Sequence, residues 1–347
     1  MKNIKRLLLL IMCAVMIFTV AACQKPEEPT KISVGVLKGA TGMGAVKAAK
    51  DSEATKDEPN GYSFTFYEAN AQGTQKIKAD VLNGTLNIAA LPINEAAGLY
   101  NESNGKVEII ATNALGVLSI IGKQQLSSFA ELKGKTIHTV AEGSTPEYAL
   151  KYIIEQNGLT FVKGEDAPMG ENGVRVVFHT APQAVIQNVK PAAADAGVYG
   201  MLPEPATTNA LNNIPGASII FDVTAEWDKV SDTKLVQGCL VANKEFAEKY
   251  PNAIAGFLKA YKSSVDYVNN AANVESVANL LVEYTVLTEA QKPLAAASIP
   301  RANIVCEVGK TMKDDVKAML TVLFNADPNS INGKLPNDDF YGNYKID

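Results

Sequence analysis

Ile32-Ser-Val-Gly-Val-Leu37 runs at once into Gly39-Ala-Thr-Gly42-Met-Gly44 and then into a small-residue helical segment, residues 45–49. A β-branched run closed by a glycine-rich turn and a helix is how a β-α-β unit opens. The chain continues in kind. Tyr62-Ser-Phe-Thr-Phe-Tyr67 alternates aromatic and hydroxyl side chains, as a strand with one buried face does. Residues 74–82 read as a helix stopped by Asn83-Gly84, 86–91 as a strand, 92–100 as a helix and 107–111 as a strand. That is βαβαβ, the pattern of a parallel sheet covered by helices.

The pattern then repeats with different residues. Leu132-Lys-Gly-Lys-Thr-Ile-His-Thr-Val140 leads into a loop and a helix over 146–156. Strands are expected at 174–178 and 194–199, helices at 182–189 and 203–211, and 218–223 closes the second set. After a β-rich stretch at 235–242 the chain turns mainly helical, over 245–250, 252–269, 274–286 and 310–324. The expected class is α/β with two parallel-sheet lobes, one of residues 31–117 plus 236–347 and one of residues 118–235. They join at the β-rich crossings 116–121 and 235–241. Parallel sheets gather loops and helix N-termini at the strands' carboxyl ends, where ligands bind. Two such edges facing each other form a cleft that closes by hinging.

Ahead of this body, Lys2, Lys5 and Arg6 precede an apolar run, residues 7–20, that ends in Val20-Ala21-Ala22-Cys23. A basic segment, an apolar stretch and small residues at a cleavage point mark a signal peptide over residues 1–22. The run is shorter than the roughly 18–20 apolar residues of a permanent membrane helix. Val-Ala-Ala-Cys resembles the bacterial lipobox, in which the chain is cut before the cysteine and its thiol acylated. The expected product hangs from the extracytoplasmic face of the cell membrane by lipid on Cys23, through a polar, Pro-containing tether of residues 23–30.

Cutting there leaves 325 of the 347 residues, enough for about two domains, and the loss of three cations takes the net charge from −5 to −8. With 47% apolar residues a sizeable core is available and wholesale disorder is excluded. An acidic body without a Lys/Arg cluster argues against nucleic acid and against an anionic lipid surface as partners. Cys239 and Cys306 lie far apart without a pairing motif and are expected to stay unbridged.

The helix starts facing the cleft carry the candidate chemistry. In Ala141-Glu-Gly-Ser-Thr-Pro-Glu147, Ser144 or Thr145 can N-cap, Pro146 suits the first turn and Ser144-x-x-Glu147 has capping-box spacing. Free N–H groups there, with Gly143, Ser144 and Thr145, suit an anionic or polar ligand group, although capping alone explains the same residues. Thr180-x-x-Gln183 repeats the device, and His179 beside Thr180 could donate to a ligand or satisfy a loop carbonyl. Gly39 to Gly44 would bring backbone close to a ligand, with Lys38, Thr41, Gly42 and Met43 at hand. Pro92 and Asn94 mark a fourth start. Tyr199 and Glu204 mark a fifth, where Glu204 could pair with a ligand amine or cap its own helix. Tyr148, Tyr199 and Met43 could flank a ring or serve as partial core.

Leu132-Lys-Gly-Lys135, Gly143-Ser-Thr-Pro-Glu-Tyr148, Asn157-Gly-Leu159 and Asp195-Ala-Gly-Val-Tyr-Gly-Met-Leu-Pro-Glu-Pro205, in that order, resemble the substrate-binding proteins of the sulfonate, nitrate and thiamine-precursor ABC importers. The resemblance covers most of the chain after residue 22. It implies the type II periplasmic-binding-protein fold, a small organic solute trapped between two α/β lobes, and delivery by a monomer to a membrane permease. It implies no cofactor, no metal and no catalysis. The loops that such proteins use for ligand fall at 39–44, 92–94, 143–145 and 179–180. The chain lacks the cysteine-rich run of the yeast-type pyrimidine synthase branch. Its presumed cleft loops also show no arginine, which argues against a tightly held small inorganic anion.

Rival classes fit less well. The glycine turn with Glu68 at the next strand's end allows a dinucleotide reading, but the spacing is not G-x-G-x-x-G and the lipobox places the domain outside the cytoplasm. A same-fold enzyme of menaquinone biosynthesis, acting on a small acid, would also need a cytoplasmic location. No G-x-S-x-G elbow suggests a hydrolase. His138 and His179 are the two histidines, without H-x-x-x-H or C-x-x-C spacing for a metal.

Overall fold

The computed structural model describes residues 30–346. The expected signal peptide, Cys23 and nearly all of the tether therefore lie outside the described residues. Strand β1 (Ile32–Leu37) forms where expected and is buried on both faces, which is why it reads as a near-continuous apolar run. On its free side lies β2 (Tyr62–Tyr67), parallel and in register from Ile32 opposite Tyr62 to Leu37 opposite Tyr67. As the edge strand, β2 turns Tyr62, Phe64 and Phe66 inward and leaves Ser63 and Thr65 exposed.

Between β1 and β2 come α1 (Ala40–Met43) and α2 (Val46–Ser52), and α3 (Ala71–Leu82) comes after β2. Strand β3 (Ile88–Pro92) leads directly into α4 (Ile93–Glu102), then β4 (Val107–Ala114). The chain crosses over at β5 (Leu118–Gly122) and builds a second sheet from β6 (Thr136–Thr139), β7 (Thr160–Lys163), β8 (Gly173–Phe178), β9 (Val198–Pro203) and β10 (Ser218–Asp222). Helices α5 (Thr145–Gln156), α6 (Pro182–Val189), α7 (Ala206–Asn213) and α8 (Val223–Asp228) intervene. The chain returns at β11 (Gly238–Asn243) and then runs through α9 (Lys244–Lys249), α10 (Pro251–Asn269), α11 (Val274–Glu283), α12 (Ala295–Ser298), β12 (Ile304–Glu307) and α13 (Gly309–Ala326).

Two six-stranded sheets result, ordered β12-β4-β11-β3-β1-β2 and β10-β5-β9-β6-β8-β7. The α/β class is as expected, but the sheets are mixed rather than purely parallel. Each takes in an antiparallel strand where the chain crosses: β11 slots between β3 and β4, and β5 between β9 and β10. A crossing strand enters from the other sheet, so no covering helix turns it into parallel alignment.

Other departures have local causes. Strand β9 begins at Val198, not residue 194, because residues 194–196 form a 3-10 turn ended by Gly197 at φ 68°. Edge strands β7 and β12 span four residues each, too short for a period to show. Helix α11 stops at Glu283 rather than at residue 286, since Thr285 takes φ 57°. One apolar core runs from the first sheet (Leu91, Ile109) and α13 (Leu320) into the second sheet (Ile137, Val176) and α8 (Trp227), so the two sheets share buried surface. The first sheet's other face packs on α10 and α11 through Phe257, Leu258 and Leu281.

Candidate functional site

The two sheets meet where α4 and α5 begin, and Asn94 spans the gap. Its Nδ2 donates to the Gly143 carbonyl at 3.2 Å, and its Oδ1 accepts from Thr145 N at 3.2 Å and Thr145 Oγ1 at 3.0 Å. Asn94 sits at the start of α4 because β3 runs into that helix without a loop, which fixes its position rigidly. The structure thus brings Asn94, Gly143 and Thr145 together, but bonded to one another. Glu147 accepts from Gly143 N at 2.6 Å and takes Lys163 Nζ at 2.7 Å. Ser144 occupies the N-cap position yet makes no capping bond, because its hydroxyl turns back to donate to the Ala141 carbonyl at 2.6 Å. The helix N-terminus read as an anion cradle is closed by the chain's own acceptors. Backbone conformation marks the loop as special: Ala141 (φ 65°) and Gly143 (φ 76°) are both left-handed, a cost that non-glycine residues seldom carry away from functional sites.

The glycine turn after β1 also differs from expectation. Gly39, at φ 94°, makes the turn, whereas Gly42 is buried inside α1 and is not a surface residue. A Cβ on Gly42 would lie 2.8 Å from the Leu37 carbonyl, so glycine there serves close packing of helix on strand. Met43 is fully buried in the apolar core with α10, not in the cleft. Thr41, half-buried, donates its hydroxyl to the Leu37 carbonyl at 2.8 Å. Lys38 is ion-paired with Glu68. Pro92 is the half-buried last residue of β3. Tyr199 lies near the amino end of β9, opposite Gly122 and Ile137 and fully buried; it is core, away from the carboxyl edge. Tyr148 is half-buried against the same core.

His179, with exposed Thr180 beside it, meets the other histidine. His138 Nδ1 and His179 Nε2 are 2.9 Å apart and the rings stack at 5.2 Å between centroids. Burial first, and the neighbouring His179 second, lower the pKa of His138, with Glu165 opposing. Unfolding therefore frees a histidine that takes up a proton more readily than the folded one. Stability from keeping His138 neutral is complete above about pH 6.5 and is lost as pH falls toward its depressed folded value. Denaturation midpoints at pH 7.5 and 5.5 should show a drop that shrinks in His138→Gln; equal drops in both proteins would overturn this.

Glu204 is 1% exposed, and its carboxylate is taken up by the chain's own groups. Its Oε1 accepts from Arg301 Nε at 2.6 Å, and its Oε2 accepts from Thr208 Oγ1 at 2.8 Å and Thr208 N at 3.2 Å. Arg301 lies between α12 and β12, outside every loop singled out in the sequence, and reaches across to the end of the second sheet's β9.

Sequence reasoning missed the most unusual feature. Among the described residues nine buried side-chain atoms lack a well-formed hydrogen bond, and six belong to Thr112, Asn113, Thr224, Gln237 and Tyr261. Thr112 and Asn113 end β4, Gln237 precedes β11, and Gln237 N donates to the Ala114 carbonyl at 3.1 Å. A Cβ on Gly238 would stand 2.6 Å from Asn113 Oδ1 and 2.9 Å from Thr41 Cγ2. One on Gly44 would stand 2.7 Å from the Tyr261 hydroxyl, and one on Gly116 would strike Thr224 Oγ1. Burial raises the pKa of Tyr261, and a side-chain hydrogen bond with Asn113 opposes that rise. Polar ends therefore crowd around side-chain-free glycines at the two chain crossings. Each orphaned group costs about 1–3 kcal/mol, and native proteins leave few of them. The sequence signal was slight: a polar pair, Thr112-Asn113, ending an apolar strand, and Gln237-Gly238 opening another.

Among the described residues Cys239 and Cys306 are free, and burial, which disfavours the thiolate, pushes the Cys306 thiol up to about 12. No group of three or more metal-ligating side chains is assembled among the described residues, and no helix there is long and apolar enough to cross a membrane.

This architecture is shared with known proteins. The NMT1-like family matches residues 25–282, about three-quarters of the chain, and the chain belongs to that family. No curated protein sequence matches it. Among solved structures, an ABC transporter from Parabacteroides distasonis superposes with a TM-score of 0.69 at 19% identity, over 91% of this chain and 100% of that one. The periplasmic aliphatic sulphonate binding protein of Escherichia coli gives 0.69 at 14% identity, over 93% and 94%. The alkanesulfonate-binding protein of Xanthomonas axonopodis pv. citri bound to MOPS gives 0.60 at 12%, over 86% and 94%. At these identities the likeness is one of fold.

Proposed function

We propose that the protein is an extracytoplasmic solute-binding lipoprotein that captures a small organic solute between two lobes and delivers it to an ABC permease. The observation that carries this is the meeting of two α/β sheets at the starts of α4 and α5, bridged by Asn94, in a fold shared with sulfonate-binding proteins. Lobe 1 comprises residues 31–117 and 236–347, lobe 2 residues 118–235, and the solute is closed in between them. Thr112, Asn113 and Gln237 join Thr41 as its contacts. Asn94, Gly143 and Thr145 act as the clasp that holds the lobes together over it. Asparagine, glutamine and threonine bind and orient, but they hold no proton to exchange near neutral pH, so we read the site as one of capture rather than catalysis.

Native mass spectrometry of protein purified without refolding tests this directly. The expected spectrum shows a population heavier by one small molecule, which leaves on gentle unfolding. Only the bare chain mass, together with no stabilisation by any solute in a melting screen, would overturn it.

The anchor is proposed separately. Cys23→Ala removes the acceptor thiol, so the variant should lose lipid labelling and appear in the soluble fraction. Undiminished labelling would refute the lipobox reading.

A further inference from the structure

At the first crossing, from β4 to β5, one residue stands between the hydrogen-bond ladders of the two sheets. The first ladder runs past the end of β4 to Leu115, whose N–H donates to the Asn303 carbonyl at 3.1 Å. The second begins at Val117, whose carbonyl accepts from Glu204 N at 3.1 Å. Gly116 lies between them, and its carbonyl accepts from Asn303 Nδ2. It passes so close to α8 and the return crossing that a Cβ would strike Thr224 and stand 3.1 Å from Leu235 Cδ2. Asn303 holds φ 42°, a left-handed conformation that asparagine tolerates better than most side chains do. Two residues earlier, Arg301 Nε donates to Glu204 Oε1 at 2.6 Å. The bonds close into a ring: Gly116 to Asn303, along the chain to Arg301, across to Glu204, and from the Glu204 backbone to Val117.

We infer that this ring is a hinge brace, in which Arg301 and Asn303 are positioning residues that fix the angle between the lobes at Gly116. The step rests on the two-lobe capture reading above. Hinge motion is absorbed by a few backbone torsions, and those of glycine are the freest. Left alone, Gly116 would let the lobes sample many angles. Asn303 ties its carbonyl to the segment that leads into β12 of the first sheet. Arg301 ties that same segment to Glu204, just past β9 of the second sheet. A change of angle must therefore disturb an ion pair whose carboxylate is fully buried, and stranding that charge is costly. Both side chains are spent on the chain's own groups, Arg301 on Glu204 and Thr208 and Asn303 on Gly116. The brace governs how far the lobes part rather than what they hold.

Two variants of the full-length protein, with no solute added, test the brace. Asn303→Gly keeps the left-handed backbone and the bond to Leu115, and loses the amide on Gly116. Asn303 is exposed, so no core packing goes with it. Arg301→Ala combined with Glu204→Gln opens the ring on its other side without stranding a charge. In both, the radius of gyration from small-angle scattering should exceed the wild-type value, with circular dichroism confirming the fold. Hydrogen exchange read by mass spectrometry should quicken about tenfold in peptides spanning residues 115–117 and keep the wild-type rate in β1. An unchanged radius in either variant overturns the inference. Exchange that quickens equally in β1 overturns it too, because these residues would then support the fold as a whole. The wild-type native spectrum bears on the solute alone: a bare chain mass there counts against capture and leaves the hinge result as measured.

Discussion

Arg301→Ala should destabilise the protein by about 3–5 kcal/mol, read as a shifted midpoint in chemical denaturation with an unchanged slope. The size comes from the asymmetry of the pair. The Arg301 side chain is about one-third exposed, whereas the Glu204 side chain is fully buried. Removing the arginine leaves a carboxylate out of water with the Thr208 hydroxyl and N–H as its remaining hydrogen-bond donors. That hydroxyl also loses the bond it receives from Arg301 Nη2 at 2.5 Å. Against a total stability of about 5–15 kcal/mol, the loss is a large fraction. Adding Glu204→Gln to the same variant removes the stranded charge and should restore much of the loss. A loss below about 1 kcal/mol would mean that the pair behaves as an exposed one, and the account of Glu204 as buried would fail.

That pair also shows where sequence reading ran out. The β-α alternation was legible because buried parallel strands are written as local apolar runs: β1, β3 and β8 all fall within a residue or two of expectation. Helix α5 was legible from Pro146 at its start and Asn157-Gly158 at its end. The sheet order was not, since β11 joins β3 and β4 from more than 120 residues further along the chain, and nothing local announces it.

The site suffered the same way. Asn94, Gly143 and Thr145 stand out in the sequence as helix starts at strand ends, and they do converge, but one amide consumes the donors and acceptors that looked free. Glu204 does cap its own helix, accepting from Thr208 N as one of its two sequence readings had it, but it is also paired with Arg301, 97 positions away, which nothing local announces. Met43 and Tyr199 are indistinguishable from cleft residues by sequence, because an apolar side chain near a strand end looks alike in either place. Asn113 and Gln237 give only a slight signal, because a single amide at a strand end has no motif. What singles them out is a buried polar end without a well-formed bond, a property of the folded chain alone.

Gly238→Ala should therefore be the most damaging small change for solute capture. The new methyl would sit 2.6 Å from Asn113 Oδ1 and 2.9 Å from Thr41 Cγ2, closer than real methyl contacts allow, and a tight 3.3 Å from Ala114 Cβ. The Ala114 contact is with a side chain that has no torsion to yield. Asn113 is fully buried, so its amide has little room to give way, and any shift disturbs a residue we propose as a solute contact. The expected result is loss of the retained small molecule from the native spectrum, with overpacking lowering stability by about 1–3 kcal/mol. Gly256→Ala is the matched control. It makes the same chemical change within α10, where the nearest atom to a new Cβ is the Tyr62 hydroxyl at 3.5 Å. Alanine there should hold stability or raise it by about 0.4–1 kcal/mol, with retention unchanged. If Gly238→Ala keeps the molecule at the wild-type ratio while still folded, the solute lies elsewhere in the cleft, and Asn113 is not one of its contacts.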